Sequence, residues 1–207
     1  SVVMNGIAAG KIDFEKLQEK HLMLVAGHRS VRIGMLSNLQ LFKGVDYFLV
    51  LANELLQKRA DVEFHLAGPF TPSFSQDDFD AFRLGLGANA SRFIYHGALY
   101  GSDKHKFLTD LDILVHPTRN DALPLVIIEA LAAGLVVVAT PQGGIPDLLA
   151  DLPGSLTVEP EKIAQAIENL LENKSEFSNF AIASRSRYLE RHTEEVFRFN
   201  LQKILEK

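Results

Sequence analysis

Glu129 has the least expected surroundings of any charged residue in the chain. It lies among Leu125, Val126, Ile127, Ile128, Ala130 and Leu131, and a carboxylate buried in such company is costly unless strong donors meet it. The paired hydroxyls of a ribose would supply two donors side by side; an arginine or core backbone amides would serve as well. Asp121 stands eight positions earlier, ahead of the same helical segment. Lys43-Gly44 opens another helical segment, where an ammonium, free N–H groups and the positive end of the helix dipole make an anion site suited to phosphate. A solvated lysine beside a helix-start glycine is the plainer account of that pair. Gly143-Gly144 precedes a third helical segment and would let backbone approach an anion. His96-Gly97 ends a strand-like run and would let backbone approach a flat ligand, while a lone ring at a strand end is more often structural. Gly68-Pro69 reads equally as chain reversal.

The surrounding pattern supplies the elements that must position these residues. Strand-like runs occupy Val31 to Leu36, Val62 to Ala67, Arg92 to His96, Asp112 to His116, Leu135 to Ala139 and Ser155 to Val158. Between them, apolar residues recur at helical spacing, as in Val45, Phe48, Leu49, Ala52, Leu55 and Leu56. Further helices are expected over Gln76 to Leu86, from a cap at Ser102 to Asp110, from Pro124 as first helical residue to Ala133, and over Ile145 to Asp151. Another follows Ile163, and two more fill Phe177 to Leu205. Short strands alternating with helices predict a doubly wound, mostly parallel six-stranded α/β sheet, a Rossmann-like arrangement. In such sheets ligands bind beyond the carboxyl ends of the strands, and the loops named above all lie there.

The 207-residue length, at roughly 150 residues per domain, fits one large domain. Lys+Arg total 21 and Asp+Glu 26, a net charge of −5, which disfavours a nucleic-acid backbone binder. The absence of cysteine removes disulfides, thiolate nucleophiles, zinc fingers and iron–sulfur clusters, and is compatible with a reducing compartment. Leu123 to Thr140 is 18 residues with one charge, yet Glu129 in its middle and Gly134 beyond it predict helix, turn and buried strand rather than a membrane span. Gly85 to Ala90 matches G-x-G-x-x-A but ends a helix and precedes a strand, the reverse of the dinucleotide context, so its glycines read as a helix stop. Asp110-Leu111-Asp112 has the form of a D-x-D metal motif, but enters its strand from the wrong end of the sheet. No P-loop, H-E-x-x-H or G-x-S-x-G pattern is present.

Taken together, these segments resemble the C-terminal, donor-nucleotide domain of retaining family 4 glycosyltransferases of the GT-B architecture. IGMLSNLQLFKGVDYFLVLANEL resembles that family's first strand, loop and Lys-Gly helix start; FHLAGPF and FIYHGALYGSDKHKFL resemble its second and third units. DILVHPTRNDALPLVIIEALAAGLVVVATPQGGIPDLL resembles its central signature, with Asp121 standing where the family usually has the first glutamate of Glu-x7-Glu. The resemblance implies that Glu129 holds the ribose hydroxyls, Asp121 faces the donor sugar and Lys43 meets the diphosphate. It also implies that Gly143 and Gly144 place backbone near sugar or phosphate, that His96, Gly97 and Leu99 border the base, and that Asn38, Gly44, Thr118, Asn120, Leu123 and Pro124 complete the donor site. The family usually has an arginine at the position of Asn38 or Gln40, and neither is cationic here.

The same resemblance implies transfer of a hexosyl group from a nucleoside-diphosphate sugar to an acceptor glycan, lipid or small molecule, as in polysaccharide biosynthesis, without a metal or other cofactor. Residues 1–30 would be an interdomain link and lead-in, 31–175 the donor domain, and 176–207 its C-terminal helices, one of which packs toward an N-terminal acceptor domain absent from this chain. The expected partners are the nucleotide-sugar donor and that domain, with no nucleic acid and no membrane contact from this half. A cytoplasmic location is expected, with the absent domain able to reach the inner face of a membrane. Two other readings stay open: a stand-alone nucleotide-binding module and a GT-B nucleotide-sugar epimerase.

Overall fold

The computed structural model describes residues 6–7 and 14–206. Six parallel strands, β1 (Val31–Leu36), β2 (Val62–Ala67), β3 (Phe93–Tyr95), β4 (Ile113–His116), β5 (Val136–Ala139) and β6 (Leu156–Thr157), form one sheet in the order β3-β2-β1-β4-β5-β6. Strand order therefore reverses between β1 and β4, and the chain leaves a crevice at that reversal. The expected doubly wound sheet is present, with strand ends trimmed by a residue or two.

The strands are apolar on both faces because helices cover both. Ile33, Ile113, Val115, Val136 and Val138 enter one core with helices α2 (Val45–Lys58), α3 (Gln76–Gly85) and α7 (Ile163–Glu172). Their neighbours Leu36, Leu114, Val137 and Ala139 enter a second core with α4 (Gly101–Asp110), α5 (Leu125–Ala132), α6 (Ile145–Leu149) and α8 (Phe177–Arg191). That two-residue alternation is what a strand buried on both faces requires. Leu123 to Thr140 resolves into α5, a turn and β5 as expected, and among the described residues no helix is long and apolar enough to cross a membrane.

Four local expectations are corrected. Ser102 does not cap α4: the flanking residue is Tyr100, and α4 has no side-chain cap. Pro124 is not the first helical residue of α5, because its ψ of 117° leaves it extended at the boundary. Helix α6 stops at Leu149, two residues short of Asp151. A helix not expected in the lead-in, α1 (Phe14–Val25), occupies part of it and seats Leu17 and Leu24 in the interior. Residues 1–5 and 8–13 of the expected link lie outside the described residues. The pair beyond Phe177 is present as α8 and α9 (Glu194–Leu205), and α9 leaves Phe199 and Leu205 exposed.

The amino edge of the sheet is tied by Asp112. Its fully buried side chain receives two hydrogen bonds of 2.7 Å from the Arg29 guanidinium and one of 2.9 Å from the Arg32 N–H, with Lys20 Nζ 3.3 Å away. Burial alone would raise its pKa, but the Lys20 charge and the Arg29 hydrogen bonds outweigh it and hold the carboxyl below its usual range. The D-x-D motif is thus a structural brace at the edge opposite the crevice. Asp112→Asn leaves two cations without their counter-charge and is expected to cost about 3 kcal/mol of unfolding free energy in urea titrations. A loss under about 1 kcal/mol would show that the edge is held by other contacts.

Candidate functional site

The loops after β1 and β4 meet at the reversal of strand order. Beyond β1, Leu39 is buried, one 3-10 turn spans Leu41–Lys43, and Gly44 adopts φ +79° at the start of α2. A Cβ on Gly44 would stand 1.9 Å from the Pro117 carbonyl oxygen, so no side chain fits there. The Arg119 N–H donates to the Phe42 carbonyl at 2.8 Å, and the Thr118 hydroxyl lies 3.2 Å from that oxygen and 3.0 Å from the Asn120 carbonyl. The Arg119 guanidinium pairs with both Asp46 oxygens at 2.8 and 2.6 Å and lies over the Tyr47 ring.

This stapling brings together two residues that the sequence marks out. Lys43 Nζ lies 2.6 Å from Asp121 Oδ2, and His116 Nε2 lies 3.3 Å from the same oxygen. The hydrogen bond from His116 lowers the Asp121 pKa most; Lys43 adds to it, burial opposes, and the carboxyl titrates at about 2. His116 is buried at the end of β4. Sequence reasoning misses it, and only its place five residues before Asp121 hints at the contact.

Glu129 is half-buried rather than fully enclosed, and its partner is neither an arginine nor a backbone amide. Lys104 Nζ on α4 lies 2.6 Å from Glu129 Oε1, while Oε2 is buried without a hydrogen-bond partner. Glu129 and Lys104 line a cavity of about 240 Å³ with Asn38, Gly68 and Leu99. Lys43 and Asp121 share the carboxyl edge but do not line this cavity. A larger cavity of about 460 Å³ lies at the amino edge beside Lys20 and Arg29. Its size does not make it the better candidate, since those two cations are committed to Asp112.

The Gly144 N–H is spent on the Ala122 carbonyl at 2.7 Å, and a Cβ on Gly143 would stand 2.2 Å from the Asp121 carbonyl. The glycine pair therefore lets the β5 loop press on the β4 loop, and Gly144 has no free amide for an anion. The His96 ring stacks on His65, with ring nitrogens 3.0 Å apart, and meets Phe107 edge-on. Burial lowers the pKa of both rings, that of His65 to about 4. His96 nevertheless remains exposed, and Gly97 accepts from the Gly68 N–H at 2.8 Å. The Thr118 hydroxyl is likewise occupied; Asn120 is exposed, Leu123 half-buried and Pro124 buried. Gly85 ends α3 and Gly87 follows at φ +55°, the helix stop expected of that segment. Among the described residues no three His, Asp or Glu side chains are grouped to hold a metal ion.

Residues 30–173, most of the chain, match the protein family described as Glycosyl transferases group 1. The chain belongs to that family. Among its relatives, the sulfoquinovosyl transferase SQD2 of Arabidopsis thaliana is 30% identical over 133 residues, 64% of this chain and 22% of that protein. The alpha-D-kanosaminyltransferase of Streptomyces kanamyceticus is 29% identical over 140 residues, 63% of this chain and 34% of that protein. The chain thus spans about a third or less of the length of either relative. Among solved structures, Anabaena Alr3699/HepE in complex with UDP superposes with a TM-score of 0.79 at 20% identity, covering 100% of this chain and 57% of that one. The C-terminal domain of the glycosyl transferase group 1 family protein LpcC from Francisella tularensis superposes at 0.71 with 19% identity, covering 89% of this chain and 100% of that one. The fold is that of a GT-B C-terminal domain.

The depressed pKa of Asp121 has a signed consequence. Ionised Asp121 stabilises the fold above the ordinary carboxylate pKa of about 4, and that contribution is lost as pH falls toward about 2. In denaturant titrations, wild type is expected to exceed Asp121→Asn in stability at pH 7, with the gap narrowing below pH 4. A gap independent of pH would exclude the Lys43–Asp121–His116 contact as its source.

Proposed function

We propose that this chain is the donor-binding half of a glycosyltransferase that moves a hexosyl group from a nucleoside-diphosphate sugar to an acceptor with retention at the anomeric carbon. The observation that carries the reading is a cation held at the switch point, Lys43 against Asp121 and His116, on the edge that also carries a cavity lined by Glu129. UDP-sugars are the donor class proposed, because HepE was solved with UDP and two relatives are named a sulfoquinovosyl transferase and an alpha-D-kanosaminyltransferase.

Sugar transfer leaves a nucleoside diphosphate, so the step is accelerated by whatever stabilises charge growing on the departing β-phosphate. Lys43 supplies that charge from a fixed place. Asp121 holds the ammonium in position while free, and shares it with the diphosphate once donor is bound. Glu129, on the wall of the cavity, accepts from a ribose hydroxyl. The acceptor would approach from a second domain, and the activity would belong to the longer protein.

Two affinity measurements test this. Lys43→Ala should weaken UDP binding by tenfold or more, about 1.4 kcal/mol, while leaving uridine binding nearly unchanged; equal losses for both would refute the phosphate role. Glu129→Gln should cost about 1 to 3 kcal/mol in UDP binding by calorimetry, and an unaltered affinity would count against the ribose role.

A further inference from the structure

Three titratable side chains meet at one oxygen. Asp121 Oδ2 receives the Lys43 ammonium at 2.6 Å and stands 3.3 Å from His116 Nε2. The two donors differ in freedom. Lys43 ends the loop after β1 with its side chain 23% exposed, so a ligand can reach it; the His116 side chain is 3% exposed at the end of β4. Asp121 is held ionised by both, so Nε2 carries the proton of that hydrogen bond and the ring can accept another at Nδ1. Histidine is the side chain that changes charge between pH 5 and 8.

By the two-residue alternation along β4, His116 faces the core that α4, α5, α6 and α8 cover. The charged side chains of those helices have partners of their own or face solvent. Glu129 pairs with Lys104 and Lys106 with Asp110, while Arg185 and Arg187 bond to the Ala132 and Leu148 carbonyls. The remaining charged side chains on those helices are exposed. The flanking strand ends, Met35-Leu36 of β1 and Val138-Ala139 of β5, carry no charge. Among the described residues, then, the charges that act directly on the ring are Asp121 and, through the shared oxygen, Lys43.

We propose that His116 takes a proton from solvent as Lys43 comes to be shared with the diphosphate, so that Asp121 keeps a full positive partner while the nucleotide is bound. This rests on the phosphate role given above for Lys43. A diphosphate that engages Lys43 brings negative charge beside a carboxylate whose closest cation it now shares, and like charges so placed repel. A neutral ring offers Asp121 a hydrogen bond of 3.3 Å; an imidazolium offers the same bond with a full charge behind it. The missing charge is thus supplied from within the site. Nucleotide binding is linked to proton uptake, and affinity rises as pH falls through the range in which the ring of the free protein is neutral.

Calorimetry in two buffers of different ionisation enthalpy counts the protons taken up, a quantity that a residue acting only on stability does not move. The 207-residue chain would be titrated with whichever of UDP, GDP and ADP it binds most tightly, at pH 7.5, above the second phosphate ionisation at about 6. Wild type is expected to take up about half a proton or more per nucleotide, and none with the parent nucleoside. His116→Gln keeps a donor for Asp121 but cannot titrate, and Asp121→Asn removes the charge that calls for the proton. Each should bring the uptake below about a tenth of a proton, and the second variant decides if the first does not fold. No uptake in wild type overturns the proposal, as does undiminished uptake in either variant. If wild type takes up no proton while Lys43→Ala weakens nucleotide binding, the His116 role alone fails. If Lys43→Ala leaves the affinity unaltered, or none of the three nucleotides binds, the phosphate role of Lys43 fails with it.

Discussion

The close approach of the β1 and β4 loops is the constraint on which the rest of the site depends. Gly44 lies against the Pro117 carbonyl where no Cβ can fit, and Phe42 accepts from Arg119 and Thr118 across the same gap. These contacts carry no chemistry themselves. They decide that Lys43, at the end of one loop, reaches Asp121 in the other. Gly68 repeats the device one strand away, since a Cβ there would stand 1.7 Å from the Ser37 carbonyl. Three loops are thus drawn to one place by backbone approach, and the side chains follow.

The two edges of the sheet use opposite charges for opposite ends. At the amino edge Asp112 is fully buried and every oxygen is met, so its bonds are spent on holding β1 to β4. At the carboxyl edge the ion pairs are partly open: Lys43 is 23%, Asp121 15% and Glu129 23% exposed. A saturated, enclosed carboxylate has nothing left for a ligand, whereas a partly open one can still be approached. This separates the structural carboxylate from the candidate functional ones more clearly than cavity size, since the cavity at the amino edge is larger than the one beside Glu129.

Much of the fold was legible because parallel strands covered on both faces leave continuous apolar runs, as in β4 and β5, whose residues are all buried. Helix boundaries were less so. Pro124 fits a first helical position by its fixed φ, yet its ψ places it outside α5, and ψ is set by how the loop packs. Ser102 has the chemistry of a cap, but the chain turns helical before reaching it. Helix α1 was not legible because only a few of its apolar residues face the interior: Leu17 and Leu24 are buried while Leu22, Met23 and Val25 are exposed. In the site, Gly143-Gly144 has the local chemistry of a surface for a ligand, and the structure spends it on a neighbouring loop.

Sequence alone determined which residues lie beyond the carboxyl ends of the strands. A β-α repeat with right-handed crossovers leaves each strand-to-helix loop at that edge regardless of detail. Only the tertiary structure decided which charges meet there. Lys104 joins Glu129 across 25 residues, and Lys43 joins Asp121 across 78; nothing local marks Lys104 apart from Lys106, which pairs with Asp110 on its own helix instead. Such partners are chosen by strand order and loop packing, and that order is a property of the folded sheet.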